Sequence, residues 1–238
     1  PALSADKIWV LPTADGSDGQ VLTTDGDGAL SWASSSSGTS VDGLSDAKSA
    51  GTDFTGSLLL GHQTTGTLDA ATYNTGVGLT ALDHLSTGDY NTAVGYSALT
   101  GNTSGFFNSA MGSNALGTNS TGHNNTASGY AALRTNSTGT YNSAMGTNAL
   151  YSNTTAHYNT AMGYGALQDA NRTADANGYN IALGYNAGNT GTNDITTGNL
   201  NTLLGASTAA SAAAGTNQSV IGYGASGQAN NSVTLGNA

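Results

Sequence analysis

Glycine recurs at a fixed interval through most of this chain, and that interval limits the fold more than any other feature. Gly61, Gly78, Gly95, Gly112, Gly129, Gly146 and Gly163 follow one another every 17 positions, and Gly184, Gly205, Gly222 and Gly236 continue at spacings of 21, 21, 17 and 14. Around the anchor lies the motif Asn, Thr/Ser, Ala, Val/Met, Gly, any, any, Ala, Leu, at residues 91–99, 108–116, 125–133 (with Ser128 in the Val/Met place), 142–150 and 159–167, with a looser copy at 74–82. A period of this length is the signature of a repeat architecture.

Within each copy the residues alternate. Tyr90, Thr92 and Val94 fall on one face of a strand and Asn91 and Ala93 on the other, the two-residue period of extended chain. A helix is excluded by the glycine in the middle of every motif and by the Asn, Thr and Gly around it. Between copies run polar segments such as Asn102-Thr103-Ser104-Gly105 and Asn119-Ser120-Thr121-Gly122, which read as turns. Each period is therefore expected to hold two short strands joined at the anchor glycine. Seventeen residues cannot bury a face alone, so the copies should stack as coils of an all-β parallel β-solenoid, or β-roll, over residues 57–238.

Stacking places like over like. Val77, Val94, Met111, Ser128, Met145, Met162, Leu183, Leu204, Ile221 and Leu235 form one column, Leu82, Leu99, Leu116, Leu133, Leu150 and Leu167 another, and Ala81, Ala98, Ala115, Ala132, Ala149, Ala166 and Ala187 a third. Asn74, Asn91, Asn108, Asn125, Asn142, Asn159, Asn180 and Asn201 suit a ladder of stacked amides. Tyr73, Tyr90, Phe107, Tyr141, Tyr158 and Tyr179 make an aromatic column, and a patchier one follows at Tyr96, Tyr130, Tyr164, Tyr185 and Tyr223. Packing along the roll is the expected role of these rings, with carbohydrate stacking the alternative.

Only 36 of 238 positions are Leu, Val, Ile or Phe, too few for an ordinary core. Disorder is not implied, because disordered chains of low hydrophobicity are usually rich in charge, and here only 8% of residues are charged. One of the two large apolar columns is expected to face another subunit, so that a homotrimer shares the core a single chain lacks. The net charge is −10, with Lys7, Lys48, Arg134 and Arg172 the only Lys and Arg residues, which excludes a phosphate-tracking, nucleic-acid-binding surface. No run of about 18 apolar residues occurs, so no membrane-inserted helix is expected. Cysteine is absent, removing disulfides and thiolate chemistry.

Ser219-Val220-Ile221-Gly222 and Asn231-Ser232-Val233-Thr234-Leu235-Gly236, with the terminal spacing of 14, resemble head repeats of YadA-like trimeric autotransporter adhesins. That resemblance implies left-handed parallel β-rolls in intertwined homotrimers. Longer copies such as Asn91-Thr92-Ala93-Val94-Gly95-Tyr96-Ser97-Ala98-Leu99 are similar to repeats of bacteriophage tail fibres. The stretch from Leu11 to Trp32 is similar to a small β-structured module of such fibres. Independently, residues 20–32 alternate and pivot on Asp25-Gly26-Asp27-Gly28, a hairpin signal. With Ile8, Trp9, Val10 and Trp32 the hairpin is read as a knob module over residues 1–35, followed by a polar linker at 36–56.

Candidate sites are few. Asp175, Asn177 and Gly178 follow the spacing of an oxygen-rich cation loop, with Asp169 and Asn171 just before it. No Glu exists to complete such a loop, and turns favour these residues anyway. Gly222-Tyr223-Gly224-Ala225-Ser226-Gly227 matches a dinucleotide fingerprint in letters but lies inside the glycine repeat. His62, His84, His123 and His157 have no metal-type pairing, and Asp83 beside His84 reads as a surface turn. Between Tyr90 and Gln168 the only charged residue is Arg134, which leaves no carboxylate pair for glycoside hydrolysis. No residue is assigned as catalytic, cofactor-binding or metal-binding. The expectation is a non-enzymatic fibre shaft, in a virion tail fibre or at a cell surface. Its partners would be other fibre or baseplate proteins and a cell-surface receptor, carbohydrate being one candidate; an adhesin head is the alternative.

Overall fold

The computed structural model describes residues 12–13, 16–17, 20–24, 30–34, 47–49, 56–61, 71–170, 177–191 and 193–236. They fall into two compact units, residues 1–45 and 46–238. In the first, β1 (Gln20–Thr24) pairs antiparallel with β2 (Leu30–Ser34), register Thr24 to Leu30 at the closed end. This is the expected hairpin; its turn, Asp25 to Gly28, and the Ile8 to Val10 segment lie outside the described residues.

The second unit is the β-solenoid. Eleven short strands stack in parallel in chain order, from β4 (Leu58–Leu60) and β5 (Thr75–Val77) through β6 (Thr92–Val94), β7 (Ser109–Met111), β8 (Thr126–Ser128), β9 (Ser143–Met145) and β10 (Thr160–Met162). The series continues with β11 (Ile181–Leu183), β12 (Thr202–Leu204), β13 (Gln218–Ile221) and β14 (Ser232–Leu235). Every pairing follows the glycine period: Thr92 opposes Ser109, Thr160 opposes Ile181 across a 21-residue coil, and Ile221 opposes Leu235 across the 14-residue one. Within the stretch read as a linker, β3 (Ala47–Ser49) pairs antiparallel with β4, against the edge of the stack.

The expectation of two strands per coil is corrected. Each coil has one strand; its second arm is a run of turns, because residues such as Ser97 and Leu99 adopt left-handed φ of 53° and 51°. That arm is nonetheless bonded coil to coil: Leu99 N–H donates to the Ala115 carbonyl and Gly101 N–H to that of Gly117. The anchor glycine is a stereochemical necessity. Gly95 has φ of 135°, and a Cβ there would lie 2.7 Å from the carbonyl oxygen of Gly112 in the next coil, so both backbone conformation and spacing forbid a side chain.

Inside, the strand centre points inward. Ala93, Ala110, Ala127, Ala144, Ala161 and Ala182 are buried opposite the buried column Leu82 to Leu167. Where one column changes size the other compensates. At Gly188, in the leucine column, a Cβ would lie 2.8 Å from Leu167 and 2.9 Å from Leu203, the enlarged residue at the next strand centre. Each buried Leu contributes about 2 kcal/mol, so a single chain has a thin but continuous core.

The remaining interior is amide. Asn91 donates its backbone N–H (2.8 Å) and its side-chain amide (3.0 Å) to Oδ1 of Asn74, and the pattern repeats at Asn108, Asn125, Asn142, Asn180 and Asn201. A second ladder runs through residues that the sequence presents as turns. Asn119 donates to Oδ1 of Asn102 at 2.8 Å, Asn136 to Asn119 at 2.7 Å and Asn153 to Asn136 at 2.8 Å, all fully buried. The two ladders meet on a shared acceptor, since Asn91 and Asn102 both donate to the Gly105 carbonyl. The second ladder stops at Asn153, whose Oδ1 is buried without a partner because Ala170 occupies the next rung.

Two outcomes follow for unfolding measurements. Asn119→Ala should cost about 2–3 kcal/mol, since it strands buried partners on both sides; an unchanged melting temperature would contradict the ladder. Deleting residues 113–129, one full coil, should leave a folded protein shortened by about 4.8 Å, whereas deleting 113–122 should abolish cooperative melting because turn residues would oppose strand residues.

Candidate interaction face

The strands that turn alanine inward turn two other residues outward, and the residue before the buried Asn joins them. Three exposed columns result: the aromatic column of Tyr73, Tyr90 and Phe107, the Thr/Ser column of Thr92 and Ser109, and the aliphatic column of Val94, Met111, Met145 and Met162. Of the 26 exposed large hydrophobic residues among those described, 17 lie in these columns. No charged residue lies in them. At half exposure they present on the order of 1,500 Å² of apolar-rich surface, well beyond the patch of a few hundred Å² that a soluble monomer ordinarily leaves open. Of the two large apolar columns, it is the Val/Met column that is exposed and the Leu column that is buried.

The aromatic column is continuous despite Asn124, which occupies its place in one coil. Tyr73, Tyr90 and Phe107 stack at 4.9 Å per step; Phe106 then meets Phe107 edge-on at 5.6 Å and stacks on His123 at 4.5 Å. His123 returns the path to Tyr141 at 5.5 Å, and Tyr158 and Tyr179 follow at 5.1 and 5.0 Å. Rings stacked on one another have their faces covered, so they pack along the roll and offer a ligand only their edges. The sequence pattern misses the detour because Phe106 and His123 sit one place off the column.

The other candidates that lie among the described residues are ordinary parts of coils. Asp169 accepts a long 3.4 Å bond from the Ser152 hydroxyl, and Asn177 donates to the Tyr179 hydroxyl at 3.0 Å. Asp175, Asn171, His62, Asp25 and Asp27 lie outside the described residues. His84 Nδ1 lies 2.8 Å from the Thr100 carbonyl, and His157 Nδ1 accepts the Thr140 backbone N–H at 3.0 Å, so both imidazoles serve coil-to-coil bonding. Arg134 lies over the Tyr151 ring at 5.6 Å. Gly222 has φ of 134° as an anchor glycine, and strand β13 precedes it with turns after it, not a helix. Among the described residues no group of three metal-ligating side chains occurs and no helix is long and apolar enough to cross a membrane. Asn102, Asn119 and Asn136, which open polar segments between the motif copies, are themselves wholly buried in the second ladder.

With no Glu to complete a cation loop and no group of three metal-ligating side chains among the described residues, removal of divalent ions with a chelator should leave the melting temperature within about 2 °C of its starting value; by the scaling of stability to melting point, a drop of about 8 °C or more would place a cation in the long coil. Comparison of the chain with known protein families, with curated proteins and with solved structures finds no match in any of the three.

Proposed function

We propose that this chain is a non-enzymatic structural element, the shaft of a homotrimeric virion tail fibre that positions a receptor-binding tip for host attachment. The observation that carries this reading is the uncharged apolar face running along an otherwise self-satisfied roll. Copies aligned in parallel about a common axis would bring Val94, Met111, Met145 and Met162 against their counterparts at matching heights, burying an area typical of a stable subunit interface. The similarity of residues 91–99 to tail-fibre repeats supports the same reading. A bacterial trimeric adhesin head is the second reading, favoured by the 14-residue closing coil from Gly222 to Gly236.

Sedimentation of the whole chain at micromolar concentration tests the assembly. A trimer is expected, and Met111→Asp with Met145→Asp should release monomers by placing like charges in a desolvated contact. A wild-type chain that sediments as a monomer would overturn the shaft reading.

A further inference from the structure

A face built from like coils has no register of its own. Two such faces can slide past one another by a coil and lose only the contacts at their ends, and staggered contacts of that kind do not close but run on as open filaments. The exposed face of this roll departs from uniformity at one level. Strand β7 with its preceding column residue presents Phe107, Ser109 and Met111, and β9 presents Tyr141, Ser143 and Met145; between them β8 presents Asn124, Thr126 and Ser128. From β5 to β14 no other level lacks a large apolar side chain. Asn124 keeps the left-handed backbone of the rings on either side, φ of 56° against 54° at Phe107 and 57° at Tyr141, so its amide leaves the coil where they do. Its Nδ2 lies 2.9 Å from His123 Nδ1, which adds an imidazole to the polar level. Nothing inside the coil accompanies the change. Asn125 takes its place in the amide ladder between Asn108 and Asn142, and Ala127 is fully buried like its neighbours.

We infer that the level of Asn124, Thr126 and Ser128 is a register mark, which meets the same level of a second copy of this chain and holds the copies parallel and at equal height. This role rests on the shaft reading, in which copies meet through this face. At equal height the Asn124 amide and the two hydroxyls face groups of their own kind, each able to donate and to accept. Displaced by one coil, the Asn124 amide and the Ser128 hydroxyl would be desolvated against Phe107 and Met111, or against Tyr141 and Met145. The mark is the fourth of the ten levels from β5 to β14, so an end-for-end overlap is also disfavoured. It would set the mark against the seventh level, Tyr179, Ile181 and Leu183, where even the hydroxyl column carries an aliphatic side chain. A polar position in an apolar seam weakens association but restricts it to one arrangement, by leaving polar groups unpaired in all the others.

Moving the mark tests it. Asn124→Tyr with Ser128→Met removes the polar level from β8, and Tyr158→Asn with Met162→Ser installs one at β10, two coils further on. The whole chain carrying all four substitutions is produced in the same cells as the wild type, one of the two bearing a purification tag, and native mass spectrometry counts the composition of the trimers. Each chain should trimerise with itself. Mixed trimers should fall about tenfold or more below random proportions, because in them the polar groups of each chain are buried against apolar groups of the other. Realigning the marks in a mixed trimer would need a two-coil stagger that leaves coils uncovered at both ends. Trimers mixed at random would overturn the register mark and leave the shaft reading standing, whereas a wild-type chain found only as a monomer would overturn both. If the fourfold variant fails to fold, the chain with Asn124→Tyr and Ser128→Met alone decides the matter by sedimentation. With its columns made uniform it should spread into species heavier than the trimer, and a single trimer like that of the wild type would sink the proposal.

Discussion

Everything in the solenoid depends on a rung of side-chain amides repeating at the same height as the backbone. An asparagine carboxamide has the N–H donor and C=O acceptor of a peptide group in side-chain form, with a second N–H besides, so a buried Asn can bond the copy below and the copy above through its side chain while its backbone N–H and C=O bond the copy below. Asn91 engages Asn74 beneath it and Asn108 above it, and it also holds the turn at Gly105. This ties the strand to the far side of its own coil through the interior. A coil of different length is accepted only if it returns the chain to the same rung, as happens where Asn180 and Asn201 pair across 21 residues.

With the interior given to amides and alanine, large apolar side chains have two possible places. Leu82 to Leu167 are buried across from the strand, with Leu59, Leu203 and Val220 buried at strand centres, and the Val/Met and aromatic columns lie outside. The exposed φ values near 55° at Tyr73, Tyr90 and Phe107 belong to the same economy of space. A left-handed residue there turns the chain inward to deliver the following Asn, and costs on the order of 1 kcal/mol per residue. The face that results is therefore a by-product of the coil's geometry as well as a candidate contact surface.

Much of this was legible in the sequence because the period is strict. The glycine anchors, the strand at Thr92 to Val94, the inward Ala93 and the Asn74 to Asn201 ladder all follow from alternation and register. Three features were not. The arm after the anchor looks extended by composition, yet its alternating left-handed residues bend it into turns, and no side-chain pattern reports φ at Leu99 or Leu116. Asn102, Asn119 and Asn136 carry turn neighbours, so their burial is hidden; the only signal was that they recur at the same interval as the first ladder. Phe106 and His123 repair the aromatic column from a neighbouring position, a contact set by coil geometry rather than by column membership.

In-register parallel strands, stacked amides and stacked rings are also the ingredients of cross-β fibrils, which grow without limit because each added chain offers the next a free edge. Here β3 runs antiparallel to β4 along the first edge of the stack. A parallel strand cannot continue past it in the same register, so one copy of the chain is prevented from templating another at that end. The antiparallel strand thus interrupts, at that edge, the parallel pairing through which an open-ended aggregate of the same chemistry would grow.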